Sequence, residues 1–252
     1  MGILGGLGLI FGMVLAAASR IFHVEVDPRL EKLNECLPGA NCGGCGYAGC
    51  SGYAEAVLSG EAPVGLCASG GNECAQAMAA IMGVQAQEVS RRVALVRCSG
   101  FKSYDADGNL TSGAKKKAEY EGFRDCLAAS KVGGNGPLSC KFGCLGYGTC
   151  VKVCKYDAIH IVDGIAQVDE TKCVGCMSCA KACPRNLIIP VEPDRNVVIA
   201  CASLAKGAVT TRGCTVGCIG CGLCKKICPI EAITIEKNLA IIDYSKCDNC
   251  GL

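Results

Sequence analysis

Between Lys172 and Pro184 the chain reads K-C-V-G-C-M-S-C-A-K-A-C-P, a run dense in thiols that can grip metal. Cys173, Cys176, Cys179 and Cys183 follow the C-x2-C-x2-C-x3-C-P spacing that holds a [4Fe–4S] cubane. Two-residue gaps wrap a short loop around one cubane so that three thiolates meet three irons, while Pro184 ends the loop and turns the fourth thiolate toward a neighbouring cluster. Zinc ribbons also use C-x2-C pairs, but as two separated pairs rather than three evenly spaced cysteines and a C-P. Upstream, Cys42-x2-Cys45-x4-Cys50, followed after sixteen residues by Cys67, offers a second set of four thiolates. Glycines at 43, 44, 46 and 49 let backbone amides approach cluster sulfur there. A structural zinc site is the alternative for this set.

From Cys140 onward the sequence repeats with a period of 74 residues. Gly143-Cys144 aligns with Gly217-Cys218, Cys150 with Cys224, Cys154 with Cys228, Cys173 with Cys247, and Cys176 with Cys250. The segments D-A-I-H-I-V-D-G-I-A-Q-V-D and E-A-I-T-I-E-K-N-L-A-I-I-D each predict two short strands around a turn. Each copy therefore reads as a two-cluster ferredoxin unit, its cluster loops flanking a small hairpin. In the first unit Cys173, Cys176, Cys179 and Cys154 make one set. The other, Cys144, Cys150 and Cys183, is a thiolate short, because Tyr147 stands where the second copy has Cys221; Lys155 likewise stands where other loops carry proline. Cys140, four residues before Cys144, is the expected fourth ligand, with Cys98 or Cys126 as fallback and a three-cysteine cluster as a further alternative.

In the second unit Cys218, Cys221 and Cys224 form one set, and Cys228, Cys247 and Cys250 the other. The period places their missing thiolates at positions 253 and 257, so the natural chain is expected to continue past Leu252. The count is three clusters within residues 36–200 and two more in a completed second unit. Cys36, Cys74, Cys98, Cys126, Cys201 and Cys214 are left without a motif. Of these, Cys98, Cys126, Cys201 and Cys214 either converge from separate loops as a further four-thiolate site or stay as buried thiols. His160 is expected on a strand surface rather than as a ligand, since the repeat has Thr234 there.

Composition agrees with a metal-cored chain: 24 of 252 residues are cysteine and none is tryptophan. The formal charge of +2 omits the clusters, each of which carries about minus two with its thiolates, so the loaded protein is acidic. No basic stripe with interleaved aromatics supports nucleic-acid binding, and Lys115-Lys116-Lys117 reads as a solvated face. Cluster thiolates call for a reducing compartment. There is no nucleotide-binding glycine fingerprint and no Ser/His/Asp constellation, and only two histidines are present. The residues describe an electron wire rather than a substrate site.

The elements that position these thiols give an α+β reading: an N-terminal transmembrane helix, a small four-cysteine domain, and two tandem two-cluster ferredoxin-like units. The expected boundaries are an anchor at 1–23, a polar connection at 24–35 with one or two helical turns after Pro28, and the four-cysteine domain at 36–93. A linker follows at 94–135, then the first unit at 136–200 and the second, apparently truncated, at 201–252. Gly2 to Ser19 is uncharged and long enough to span a membrane if Ile21 and Phe22 complete it. A signal peptide is the rival reading; the lack of a basic n-region and the redox cost of export argue against it. Arg20 puts the bulk of the chain on the cytoplasmic side, and Gly8, Gly12 and Ala16 form a small-residue face suited to a membrane partner. Apolar spacing predicts helix over Ala75–Val96, and a second helix is expected over Ala114–Ser130 between the D-A-D-G-N and V-G-G-N-G-P turns. The D-A-D-G-N stretch is read as a turn; Lys116 at the twelfth position argues against a calcium loop.

Read with its flanks, L-P-G-A-N-C-G-G-C-G-Y-A-G-C-S-G-Y-A-E-A resembles the four-cysteine domain shared by the B subunit of the Rnf electron-transport complex and the large subunit of the corrinoid iron–sulfur protein. Its place after an N-terminal apolar helix and before ferredoxin repeats is similar to the Rnf B subunit over nearly the whole chain. That resemblance implies a single-pass subunit of the cell inner membrane, bulk in the cytoplasm, in an ion-translocating oxidoreductase. It would take electrons from soluble ferredoxin and pass them to other membrane and flavin-bearing subunits, binding no NAD itself. The alternatives are an electron-input subunit of a corrinoid-reactivating enzyme and a structural zinc protein.

Overall fold

The computed structural model describes residues 8, 11–18, 27–86, 88–100, 103–104, 106 and 110–252. The expected membrane span lies largely outside these residues. Within it residues 11–18 are helical, with Phe11, Met13, Val14 and Leu15 exposed. Among the described residues no helix is long and apolar enough to cross a membrane. Most of D-A-D-G-N also falls outside them.

Three helices build the four-cysteine domain: α1 (Pro28–Cys36), α2 (Cys50–Leu58) and α3 (Gly71–Met82). Asp27 starts α1 by accepting the Arg29 amide at 2.9 Å, with Pro28 in the first turn where its missing N–H costs nothing. The three pack Leu33, Tyr53, Val57 and Met78 into a core that also holds Cys74 beside Met78, with Cys36 against its edge. The helix predicted over Ala75–Val96 ends at Met82. Gly83 takes the left-handed conformation and donates to Ala79 O, closing α3. Val93–Val96 instead forms β1, since the β-branched V-A-L-V finds a partner strand far along the chain.

Among the described residues four antiparallel ribbons make up the sheet structure. β1 pairs with β6 (Ile188–Val191), Val93 opposite Val191. β2 (Ser103–Tyr104) pairs with β3 (Leu110–Ser112). The two predicted hairpins are β4 (Ile159–Val162) with β5 (Ile165–Val168), and β7 (Ile233–Glu236) with β8 (Leu239–Ile242). Both close through two residues at positive φ, Asp163-Gly164 and Lys237-Asn238, whose twist matches that of the strands. Short helices carry the cysteine loops: α4 (Cys126–Ser130), α5 (Thr149–Lys152), α6 (Ser178–Ala182), α7 (Gly207–Gly213) and α8 (Leu223–Ile227).

The helix predicted over Ala114–Ser130 forms only as α4. Residues 113–117 run extended because their backbone groups find partners elsewhere: Lys115 N donates to Gly213 O, Lys117 N to Pro137 O, and Ser139 N to Lys115 O. The stretch 94–135, expected as linker, thus adds most of a strand to the first unit and holds the loops around it together.

Candidate metal centres

Each cysteine loop of the two units folds on one plan. The second and fourth residues after its first cysteine have positive φ: Gly146 and Gly148, Gly175 and Met177, Gly220 and Gly222, Asn249 and Gly251. A side chain at Gly146 would meet Gly164 O at 2.3 Å, and one at Gly220 would meet Asn238 O at 2.6 Å, so these turns lie directly on the hairpin tips. The loop around Tyr147 keeps this shape although its central thiol is absent. Tyr147 packs on Tyr120 instead, ring centroids 5.2 Å apart.

Four hollows among the described residues are rimmed by cysteines. Cys42, Cys45, Cys50 and Cys67 surround the first, with Cys176 of the first unit also on its rim. Asn41, at φ 47°, accepts the Cys50 amide at 2.8 Å and so starts α2 at the third cysteine. The hydroxyl of fully buried Tyr53 donates to Pro63 O at 2.9 Å and accepts from Leu66 N at 3.1 Å, fixing the strap that carries Cys67. The neighbouring Cys74 thiol, with the Gly70 and Ser69 amides, lowers the Cys67 pKa.

Cys154, Cys173, Cys176 and Cys179 line the second hollow. Ala94 N in β1 donates to Cys173 Sγ at 3.4 Å, and Ala158 N to Cys154 Sγ at 3.5 Å. Amides aimed at sulfur stabilise ligating thiolates and tune a cluster's potential. Burial pushes the Cys179 thiol up to about 11.

The third hollow is lined by Cys144, Cys150, Cys183 and Cys126. Burial pushes Cys144 to about 11 and Cys150 to about 12. Such thiols ionise when a bound cation compensates the charge, and metal binding expels their protons. Cys140, expected as the fourth ligand here, lies instead in the fourth hollow, with Cys98, Cys201 and Cys214. The reason is local. Asp125 caps α4 by accepting the amides of Leu127 and Ala128. Thr149, next to Cys150, accepts the Cys126 amide at 2.7 Å and donates to Asp125 Oδ2 at 2.8 Å. That pair fastens Cys126 to the loop that lacks a thiol. Cys126 is one of the two fallback ligands expected from the sequence.

In the second unit Cys218, Cys224, Cys228 and Cys247 pack against the β7–β8 core, while Cys221 and Cys250 are exposed. Ala232 N donates to Cys228 Sγ at 3.4 Å, repeating the Ala158 contact one period earlier. His160 is exposed on β4, its Nε2 3.1 Å from Asp157 O. Arg185 carries no motif, yet its guanidinium donates to the carbonyls of Cys140, Gly143 and Asn135 between the third and fourth hollows. Burial there lowers its pKa.

The donor set suits clusters better than single ions. A lone zinc needs several ligands within ~2.3 Å of one centre, and among the described residues no three Cys, His, Asp or Glu side chains are arranged to hold one ion. Thiols arranged around shared hollows, with amides pointed at their sulfurs, fit a cubane whose ligands bind different irons.

Two family models match, one for an Fe-S cluster over residues 37–69 and one for a 4Fe-4S binding domain over residues 166–189. The chain is 45% identical over 251 residues to the B subunit of the Na(+)-translocating ferredoxin:NAD(+) oxidoreductase complex of Acetobacterium woodii, covering 99% of this chain and 72% of that one. It is 43% identical to the B subunit of the proton-translocating ferredoxin:NAD(+) oxidoreductase complex of Clostridium ljungdahlii, covering 97% and 84%. To the B subunit of the ion-translocating oxidoreductase complex of Methanosarcina acetivorans it is 36% identical, covering 99% and 91%. Cysteine-rimmed hollows, iron–sulfur models and relatives along nearly its full length agree: the chain belongs to the family of B subunits of the ion-translocating ferredoxin:NAD oxidoreductase (Rnf) complex.

Proposed function

We propose that this subunit relays electrons from reduced ferredoxin toward flavin- and metal-bearing partners of an ion-translocating oxidoreductase. In this reading Cys42, Cys45, Cys50 and Cys67 hold one [4Fe–4S] cluster, Cys154, Cys173, Cys176 and Cys179 a second, and Cys126, Cys144, Cys150 and Cys183 a third. Cys218, Cys221, Cys224, Cys228, Cys247 and Cys250 supply the ligands of the second unit. Bound cubanes supply reversible one-electron storage; the chain's part is to hold them close, dry and electrostatically tuned.

The observation that carries the reading is Cys176, which rims both the first and second hollows. Two sites sharing a rim suit transfer between clusters rather than separate structural roles. The division at 1–23, 24–35, 36–93, 94–135, 136–200 and 201–252 follows: anchor, connection, four-cysteine domain, joining segment and two ferredoxin units. The exposed apolar turns at 11–18 support the anchor, and Arg20 after them supports a cytoplasmic side for the cluster-bearing bulk.

The test is anaerobic preparation of the full chain with iron and sulfide analysis, followed by addition of reduced ferredoxin. The expected result is a broad brown absorbance that bleaches with dithionite and with reduced ferredoxin. A colourless protein with stoichiometric zinc would overturn the proposal.

A further inference from the structure

We propose that Cys98, Cys140, Cys201 and Cys214 hold a further [4Fe–4S] cluster at the junction of the two ferredoxin units. No compact motif announces it, since the four come from well-separated loops, and neither matching family model reaches any of them. The structure brings all four onto the rim of one hollow, as it does the cysteines of the three sets already described. The inference takes its ligand chemistry from the proposed relay and adds one site to it.

The junction repeats the internal symmetry of the chain. Cys140 and Cys214 are one period apart, and each begins a C-x3-C step whose second cysteine, Cys144 or Cys218, turns toward its own unit. Gly213 abuts Ser139 and Cys140, so these two steps face each other. The other two thiols come from neighbouring segments joined by the Ser99 amide, which donates to Ala200 O at 3.0 Å. Cys98 Sγ accepts from Cys144 N at 3.3 Å, and Cys201 Sγ accepts from Cys218 N at 3.3 Å. Each unit thus directs the amide of its own ligand cysteine at a sulfur of the shared set. Ser203 N adds a further donor to Cys201 Sγ at 3.4 Å. Gly143 leaves Cys140 and Cys98 open to one another; a side chain there would lie 3.5 Å and 3.9 Å from their sulfurs.

This pairing explains a sequence feature that a single-unit assignment leaves idle. If Cys140 completed the Cys144 set, its equivalent Cys214 would have no task. As two halves of one shared site, both have the same one. The consequence is a continuous path: the shared cluster lies one amide from Cys144 on one side and one amide from Cys218 on the other.

The experiment compares iron, sulfide and zinc in anaerobically prepared full-length chain with Cys140→Ser, Cys214→Ser and the double variant, using Cys45→Ser as a control in the four-cysteine domain. Each single variant and the double are expected to lose the same one cubane, about four iron and about four sulfide, keeping the EPR signals of the other clusters. Retention of all iron by the Cys140 and Cys214 variants, while Cys45→Ser loses its share, overturns the shared site and leaves the relay standing. Loss in Cys140→Ser but not in Cys214→Ser overturns it too, returning Cys140 to the Cys144 set. So does loss of zinc in place of iron, whereas iron-free wild type sinks the relay itself. Thiol alkylation of the wild type decides the matter if the variants do not fold. The four cysteines should stay protected until a chelator removes iron, and alkylation of any of them with iron fully retained overturns the proposal.

Discussion

In the proposed assignment Cys126 completes the Cys144 set, and Thr149 is the residue that holds it there. Thr149 bonds both the Cys126 amide and the Asp125 carboxylate, two part-buried hydrogen bonds each worth roughly 0.5–1.5 kcal/mol. Thr149→Val should therefore loosen Cys126 and speed iron loss to a chelator by about tenfold or more, followed by absorbance. Cys126→Ser should remove about four iron and abolish the EPR signal of the cluster on Cys144 and Cys150, a signal that Cys140→Ser leaves in place. Arg185 acts through charge. A unit charge over roughly 10 Å at an effective dielectric near 20 is worth about 1.7 kcal/mol, on the order of 70 mV for one electron. Arg185→Gln should lower the potential of the Cys144 cluster by several tens of millivolts in an EPR-monitored redox titration, because a nearby cation favours the reduced, more negative form. An unchanged midpoint would show that the charge is screened.

The hairpin and its cysteine loop are one element, joined where the loop's first left-handed residue meets the hairpin tip. Gly146→Ala places a side chain at φ 77° against Gly164 O, 2.3 Å away, so loop and hairpin must part. The conformational cost alone is roughly 1–2 kcal/mol, and the clash adds to it. Thermal unfolding of the loaded protein, followed by circular dichroism and by absorbance, should show an earlier transition with cluster bleaching. Gly52 is the contrast: it lies inside α2, where an added Cβ would have nothing within 4 Å. Gly52→Ala should stabilise the four-cysteine domain by roughly 0.5–1 kcal/mol through the entropy of the unfolded chain.

Across the whole molecule the four-cysteine domain is seated on the first unit by polar contacts to its backbone. Lys155 Nζ donates to Ala40 O at 2.7 Å and to Asn41 O at 3.1 Å; Lys181 Nζ donates to Gly43 O at 2.9 Å, and Ser178 Oγ to Cys42 O at 3.0 Å. Gly44 permits the approach, since a Cβ there would lie 2.7 Å from Cys176 O. Lysine at 155, where the other loops have proline, is thus a docking residue rather than a defect of the motif. Lys155→Met and Gly44→Val should each weaken the spin coupling between the reduced first and second clusters and expose residues 83–92 to protease, with iron content unchanged. Coupling equal to wild type in both variants would show that the domain is held by other contacts.

Spacing alone gave the chemistry of this protein, because a cubane's reach is short and its loop ligands must lie two or three residues apart; the 74-residue period and the two hairpins were legible for the same local reason. Gly83 ended a helix that apolar periodicity carried onward, and strand V-A-L-V was hidden because its partner lies about a hundred residues away, at Ile188–Val191. The proposed sites that only tertiary structure brings into view are those whose thiols come from different loops. Cys126 joins Cys144 through a side-chain pair, and Cys98, Cys140, Cys201 and Cys214 meet where two repeats face each other. A single loop writes its ligand set into adjacent residues. A junction between folded units distributes its ligands according to how those units pack, and packing is settled by backbone partners such as Ser99 with Ala200 that residue types do not reveal.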